Sequence, residues 1–347
     1  MSTIITILVA LVIFGVLIIS HEFGHFIVAK KSGVDVLEFS AGMGPLLAKK
    51  EKNGTQYSLR ALPIGGFCRM KSYEDCEEED KDLDFYHEKG AFEAASAGKR
   101  ILILLAGAMM NFLVAILIFF AVLCVNGTDA TTTIASVSEN SPAYKAGIAA
   151  GDTVVQIDGN EIKEWDDLTS FIRGGSGSAI SVNVKKADGS EKTYEITPEY
   201  NEEEQAYLIG ITPKAKTNVI KALGRSVYLV GYYIVLIAQV FIGLFRGEVG
   251  MDAFSGPIGA TVVIGQYIPM GLIYLLNIAA SISISLGFFN LLPIPGLDGS
   301  RILFVIIEKI KGSPVNRDAE GTIHTIGMIC LMLFAVFVAY KDIVRFF

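Results

Sequence analysis

Two histidines four residues apart bracket a glutamate in His21-Glu22-Phe23-Gly24-His25. On a helix, residues four apart share a face, so His21 and His25 can present two imidazole nitrogens to one metal ion. Glu22 falls roughly 60° around the helix from His25, at about 100° per residue. That is close enough to take a proton from a water that the metal activates. This H-E-x-x-H pattern puts two zinc ligands and a general base within five residues. A plain pair of helix-surface histidines would show the same letters. The setting argues against that: the motif sits at the end of an apolar run from Ile4 that resumes through Phe26-Ile27-Val28-Ala29. Ionisable side chains in a membrane-length segment are costly and mark working sites.

Composition says where such a site would work. The chain has 347 residues, 52% hydrophobic and only 19% charged, with a mean hydropathy of +0.49. That balance is too apolar for an ordinary soluble protein and implies several membrane spans in a lipid bilayer, with a modest soluble portion. A net charge of −7 without a dense basic patch argues against nucleic acid as a partner. Cys68, Cys76, Cys124 and Cys330 are scattered and form no C-x-x-C pair, so neither a cysteine metal site nor a disulfide framework is indicated.

Met1-Ser2-Thr3 lacks the basic start of a secretory signal, so residues 4 to about 29 read as a retained span. Lys30 and Lys31 follow it, and Lys49, Lys50, Lys52, Arg60, Arg69 and Lys71 lie in the loop beyond. The positive-inside rule puts this end, with the two histidines, toward the cytoplasm. The acidic Glu77-Glu78-Glu79-Asp80 reads as a solvated cytoplasmic face. A second span covers about 101–125 after Lys99-Arg100, with Gly107 and Asn111 four apart. The first permits close helix approach, and the second offers an amide across the interface. Further spans are expected at about 270–292 and 323–340, separated by the basic Arg301, Lys309, Lys311 and Arg317. The chain is outside after the second span and inside at Arg301, so one crossing fits between them and two do not. Val219–Phe245 is therefore expected along the outer membrane surface or packed against the bundle, leaving four spans.

A catalytic zinc site usually takes three protein ligands and leaves one position open. His87, in a polar stretch, and His324, at the start of the last span, read as surface or structural histidines. Asp298 is the stronger candidate. In Asn290-Leu291-Leu292-Pro293-Ile294-Pro295-Gly296-Leu297-Asp298-Gly299, two prolines and two glycines break the third span at the cytoplasmic face. Irregular backbone there can present a carboxylate, on the same side as His21 and His25.

From about 127 to 212 the composition becomes soluble. Strand-like runs at 132–137, 153–157, 180–184 and 193–197, with turns at Asp158-Gly159 and Asp188-Gly189, suit a compact domain of about 85 residues. Ser141-Pro142-Ala143-Tyr144-Lys145-Ala146-Gly147-Ile148, followed by Gly151-Asp152 and a strand ending at Asp158-Gly159, resembles PDZ domains of bacterial proteases. In the first cytoplasmic loop, Gly42-Met43-Gly44-Pro45 and the stretch from Tyr57 to Phe67 read as a β-hairpin or small sheet, apolar enough to be re-entrant. An edge that pairs with an extended substrate and a plain structural hairpin fit it equally.

Together these motifs resemble the site-2 protease family of intramembrane zinc metalloproteases, in its bacterial PDZ-containing branch, the RIP metalloprotease RseP group. The resemblance covers nearly the whole chain. It rests on His21-Glu22-x-x-His25, Gly42-x-Gly44-Pro45, Pro63-Ile64-Gly65-Gly66-Phe67, Ala106-Gly107-x-x-Met110-Asn111-Phe112, the PDZ-like segment, Ser255-Gly256-Pro257, and Asn290 to Gly299. It implies Zn2+ bound by His21, His25 and Asp298, with Glu22 catalytic. It further implies that Asn290 and Pro293 hold substrate near the metal, and that Gly65, Gly66 and Phe67 belong to a membrane-embedded hairpin handling the substrate strand. Ala108 stands where proline is common, Gly296 where alanine is common, and Ser300 where a second glycine often follows Asp-Gly. None of these removes a ligand or the base.

The expected fold is an α-helical polytopic membrane protein, with four transmembrane helices, a membrane-associated β-hairpin and one small extracytoplasmic PDZ domain. Its expected parts are 1–126, the PDZ domain at 127–213, a membrane-surface helical segment at 214–266, and 267–347. The resemblance implies regulated intramembrane proteolysis in a bacterial inner membrane. Substrates would be single-span proteins of the anti-sigma factor or remnant signal peptide type, trimmed first by an upstream site-1-type protease. An inactive PDZ-containing scaffold of the same fold would be betrayed by loss of Glu22 or Asp298, and both are present. A zinc transporter would need ionisable residues along several spans, and these spans carry almost none beyond the one cluster.

Overall fold

The first apolar run forms α1 (Thr3–Ser32), whose two sides differ in chemistry. Ile4, Leu8, Val12 and Val16, four residues apart, stay exposed as one apolar stripe, as lipid contact demands. The opposite side buries Ala10, Gly15, Leu17, His21, Gly24, His25 and Ala29. The computed structural model describes residues 3–73, 86–250 and 255–346. Cys76 and the acidic run at 77–80 lie outside the described residues.

After α1 come β1 (Val36–Lys52) and β2 (Thr55–Met70), an antiparallel hairpin. It turns at Asn53-Gly54, where both residues have positive φ, the conformation that matches strand twist in a two-residue turn. The hairpin bends back on itself beyond Gly42 and Gly44, also at positive φ. Glu38, Phe39, Ser40 and Ala41 each lie opposite one residue of 56–59 and one of 66–69. The strand carrying Gly66 to Met70 therefore forms one edge of this small sheet.

α2 (Ala97–Asn126) crosses α1 closely because both helices are small at the crossing. A Cβ on Gly24 would stand 2.3 Å from the Ala106 carbonyl oxygen, and one on Gly107 2.3 Å from His25 Nε2. Such contacts are possible only between glycines and backbone or ligand atoms.

Residues 120–225 make a separate unit. It holds β3 (Asp129–Val137), α3 (Pro142–Ala146), β4 (Thr153–Ile157), β5 (Asn160–Glu161), α4 (Trp165–Arg173), β6 (Ile180–Lys185), β7 (Glu191–Ile196), β8 (Glu199–Asn201), β9 (Ala206–Leu208) and β10 (Ile211–Lys216). The main sheet runs β10-β3-β4-β6-β7, with β5 on β4, and all its pairings are antiparallel. Its inward residues, Val182 and Val184 in strict alternation, Val154 and Ile157 on either side of an irregularity in β4, and Ile196, pack with Leu168 and Ile172 of α4 into one core. Ser141 caps α3 by accepting from the Tyr144 N–H, and Gly147 at φ +91 ends it.

The other unit, residues 1–119 and 226–347, continues with α5 (Val219–Phe245), α6 (Pro257–Tyr267), a single 3-10 turn (Ile268–Met270), α7 (Leu272–Asn290), α8 (Asp298–Lys311) and α9 (Arg317–Phe346). Five helices, α1, α2, α5, α7 and α9, are long and apolar enough by length and composition to cross a membrane. The chain is thus a multi-pass membrane protein with β-structured regions. α5 packs Val230, Tyr233, Ile234 and Ile237 with Phe112 and Phe119 of α2 and Ile284 of α7. Its Tyr233 ring meets Phe119, and its Phe241 meets Phe288 and Phe289 at the end of α7. α6 lies elsewhere. A Cβ on its Gly259 would touch Asp342 near the end of α9, and one on Gly265 would touch Thr6 near the start of α1.

Candidate metal centre

His21 and His25 come from the buried side of α1, one turn apart, and Asp298 arrives from the first residue of α8. His21 Nε2 lies 3.0 Å from Asp298 Oδ2, His25 Nε2 lies 3.3 Å from the same oxygen, and the two nitrogens are 3.1 Å apart. A tetrahedral zinc with bonds of about 2.0–2.1 Å has ligand–ligand edges of about 3.3 Å. The three donor atoms therefore outline one face of such a tetrahedron. They are the one His/Cys/Asp/Glu cluster of this kind among the described residues. His87 and His324 stand outside it.

The far side of each ring decides which nitrogen faces the centre. His25 Nδ1 lies 2.8 Å from the Ile103 carbonyl oxygen, which can only accept, so Nδ1 carries the proton and Nε2 offers a lone pair. Asn111 is fully buried, with its Nδ2 3.3 Å from His21 Nδ1 and its Oδ1 without a hydrogen-bond partner among the described residues. With the carboxamide turned over, Oδ1 accepts from His21 Nδ1–H and the lone pair of His21 also faces inward. Two lone pairs and a carboxylate oxygen converging this closely repel one another unless a cation lies between them. The residues fit a divalent ion.

Glu22 projects beside this triangle into a cavity of about 340 Å³, lined also by His21, Met43, Gly65, Gly66, Asn111, Leu286 and Asn290. The edge strand of the hairpin runs alongside. The Cys68 N–H donates to the Glu22 carboxylate, and a Cβ on Gly66 would come within 3.8 Å of Glu22 Cγ. Gly65 has φ +89, a conformation open to glycine at little cost. Of the residues expected near substrate, Gly65, Gly66 and Asn290 reach the cavity. Phe67 points elsewhere, with the Arg60 guanidinium 5.2 Å from its ring centroid, and Pro293 is exposed in the turn after α7.

That turn is what delivers Asp298. Ile294 N–H bonds back to the Leu292 carbonyl and Leu297 N–H to the Ile294 carbonyl. Gly299 packs so tightly that a Cβ would stand 2.3 Å from the Leu292 oxygen. Sequence reading missed that Ile103 and Asn111 orient the imidazoles. The Ile103 contact is a backbone carbonyl with no signature in the letters. Asn111 was visible as a polar residue in an apolar span, but not the ring it would meet.

Comparison with known proteins follows the same lines. The family described as peptidase family M50 matches residues 9–334. A Clostridium acetobutylicum protein provisionally named a zinc metalloprotease is 36% identical over 346 residues, 97% of each chain. Zinc metalloprotease RasP of Geobacillus kaustophilus is 29% identical over 412 aligned residues, again 97% of each chain. Among solved structures, the PDZ domain of an SdrC-like protein from Listeria monocytogenes is 25% identical, with a TM-score of 0.22, covering 25% of this chain and 88% of that domain.

Proposed function

Because the chain belongs to peptidase family M50, the site-2 protease family of zinc metalloproteases, we propose that it hydrolyses peptide bonds within membrane-spanning segments of single-span proteins. His21, His25 and Asp298 would hold a Zn2+ ion. The observation that carries this reading is the three-atom triangle with Glu22 beside it, His21 and Glu22 lining the same cavity as the strand edge at Gly65 and Gly66. Zinc supplies Lewis acidity there, making water a nucleophile near neutral pH and polarising a carbonyl oxygen. Glu22 takes the proton of the attacking water and can return it to the departing amine. A helical substrate hides its carbonyls in its own hydrogen bonds and must unwind locally. Pairing with the edge at Gly65 and Gly66, and an amide from Asn290, offsets part of that cost. Phe67 supports that edge from within the sheet, and Pro293 shapes the turn behind Asn290.

In the proposed orientation the metal end of the bundle faces the cytoplasm, and residues 127–213 form a PDZ-type domain outside a bacterial inner membrane. Four segments cross. α5 packs against the bundle beside α2 and α7 and is not counted among them, which preserves the parity of the basic loops. The outer domain screens extracytoplasmic tails, favouring substrates trimmed by an upstream site-1-type protease. Anti-sigma factors and remnant signal peptides are the substrate types in view.

The test is zinc content and cleavage of a single-span model substrate in detergent, for wild type, Glu22→Gln and Asp298→Asn. Full zinc with cleavage reduced at least about 100-fold is expected for Glu22→Gln, and weakened zinc for Asp298→Asn. Undiminished cleavage by Glu22→Gln would sink the mechanism. A wild type that holds zinc but cuts no substrate would favour the inactive scaffold.

A further inference from the structure

The third ligand sits on a turn, not inside a regular element, so something must hold that turn to the bundle. α9 supplies it. The Gly296 N–H, two residues before Asp298, donates to His324 Nδ1 at 3.2 Å, and Gly296 has φ +98. One turn further along α9, Gly327 meets Pro295 directly: a Cβ there would lie 2.3 Å from the Pro295 carbonyl oxygen and 2.4 Å from its Cβ. The other face of the His324 ring packs on α8. Its centroid is 5.5 Å from Phe304 of α8, and its Nε2 lies 3.9 Å from Glu320 Oε1 one turn back.

We propose that His324, with Gly327, is a positioning residue for the metal site, clamping the 293–297 turn so that Asp298 Oδ2 stays within reach of both imidazoles. This rests on Asp298 being a metal ligand. Gly296 N–H can donate only to an unprotonated Nδ1, so the ring carries its proton on Nε2, toward Glu320. A residue acting on a ligand through its support changes metal affinity about 10–100-fold when removed. The geometry also says which replacement should work. An asparagine carboxamide can place an acceptor oxygen near the former Nδ1, whereas the longer glutamine places it near Nε2.

The experiment uses full-length protein in detergent, with His324→Phe, His324→Asn, His324→Gln and Asp298→Asn beside wild type. Zinc affinity is measured by chelator competition, and amide hydrogen exchange of a peptide spanning 290–300 is measured on zinc-free protein. His324→Phe and His324→Gln should bind zinc at least about 10-fold more weakly and exchange faster at 290–300. His324→Asn should stay within a few-fold of wild type on both counts. If all three variants match wild type in zinc affinity and exchange while Asp298→Asn loses zinc, the clamp is wrong and the ligand assignment stands. If Asp298→Asn also binds zinc normally, the site reading itself fails. Unfolding of His324→Phe does not blur the result, because the contrast between asparagine and glutamine decides it. Equal loss in those two would mean that ring packing alone matters, overturning the hydrogen-bond assignment.

Discussion

His21 and His25 can face one point only because each ring is held from behind, by Asn111 and by the Ile103 carbonyl. Asn111 is itself anchored: its backbone carbonyl accepts from Ser283 Oγ of α7 at 2.8 Å. Replacing it with leucine keeps the bulk and removes the partner of His21 Nδ1. Asn111→Leu is expected to weaken zinc binding about tenfold, read by chelator competition. Unchanged affinity would mean that packing alone orients the ring. Asparagine in an apolar helix was legible as an interhelical group. Which group it serves depended on the rotation of α2 against α1.

At the scale of elements, the crossing of α1 and α2 governs whether the ligands lie under the cavity at all. Gly24 meets the Ala106 carbonyl across that crossing, while Gly98, in the first turn of α2, has open space at its Cβ position. Gly24→Ala should cost about 1–3 kcal/mol through overpacking. Gly98→Ala should be neutral or stabilise by up to about 1 kcal/mol through helix propensity. Thermal unfolding in detergent checks both, and equal effects would show that the crossing is looser than described. The hairpin teaches a related lesson. Its alternation and glycines announced strands. Its bend, which brings Gly66 to Glu22 and turns Phe67 toward Arg60, follows from positive φ at Gly42 and Gly44.

Across the metal-bearing unit, one buried ion pair ties distant stretches of chain together. Arg100 of α2 pairs with Glu308 of α8, which also accepts from the Tyr86 hydroxyl at 2.8 Å and the Val315 N–H at 3.2 Å. Burial raises the Glu308 carboxyl, but these donors outweigh it and hold it below the ordinary 4.5. A depressed carboxylate contributes stability that is present above its unfolded value and lost as pH falls through the folded one. Glu308→Gln leaves the buried Arg100 uncompensated and should cost about 3–5 kcal/mol at pH 7. The gap in unfolding midpoint from wild type should narrow below about pH 4.5 and close once the pH is under the folded value. A gap that is constant with pH would show that the charge on Glu308 is not linked to folding.

The sequence by itself determined the chemistry and the class of fold. His21, Glu22 and His25 are read from a spacing that any helix must honour, and long apolar runs can only be membrane helices or core. Asp298 was reachable because breakers and a carboxylate in an apolar span are costly features that need a reason. Tertiary structure alone decided what depends on packing rotation and on backbone atoms. The Ile103 carbonyl behind His25, the grip of His324 on Gly296 and the burial of α5 against α2 and α7 are of this kind. A carbonyl has no letter of its own, and a histidine two turns into α9 looks the same whether it meets water or a turn. The apolar face of α5 suits lipid and protein alike, since in a membrane both are equally apolar.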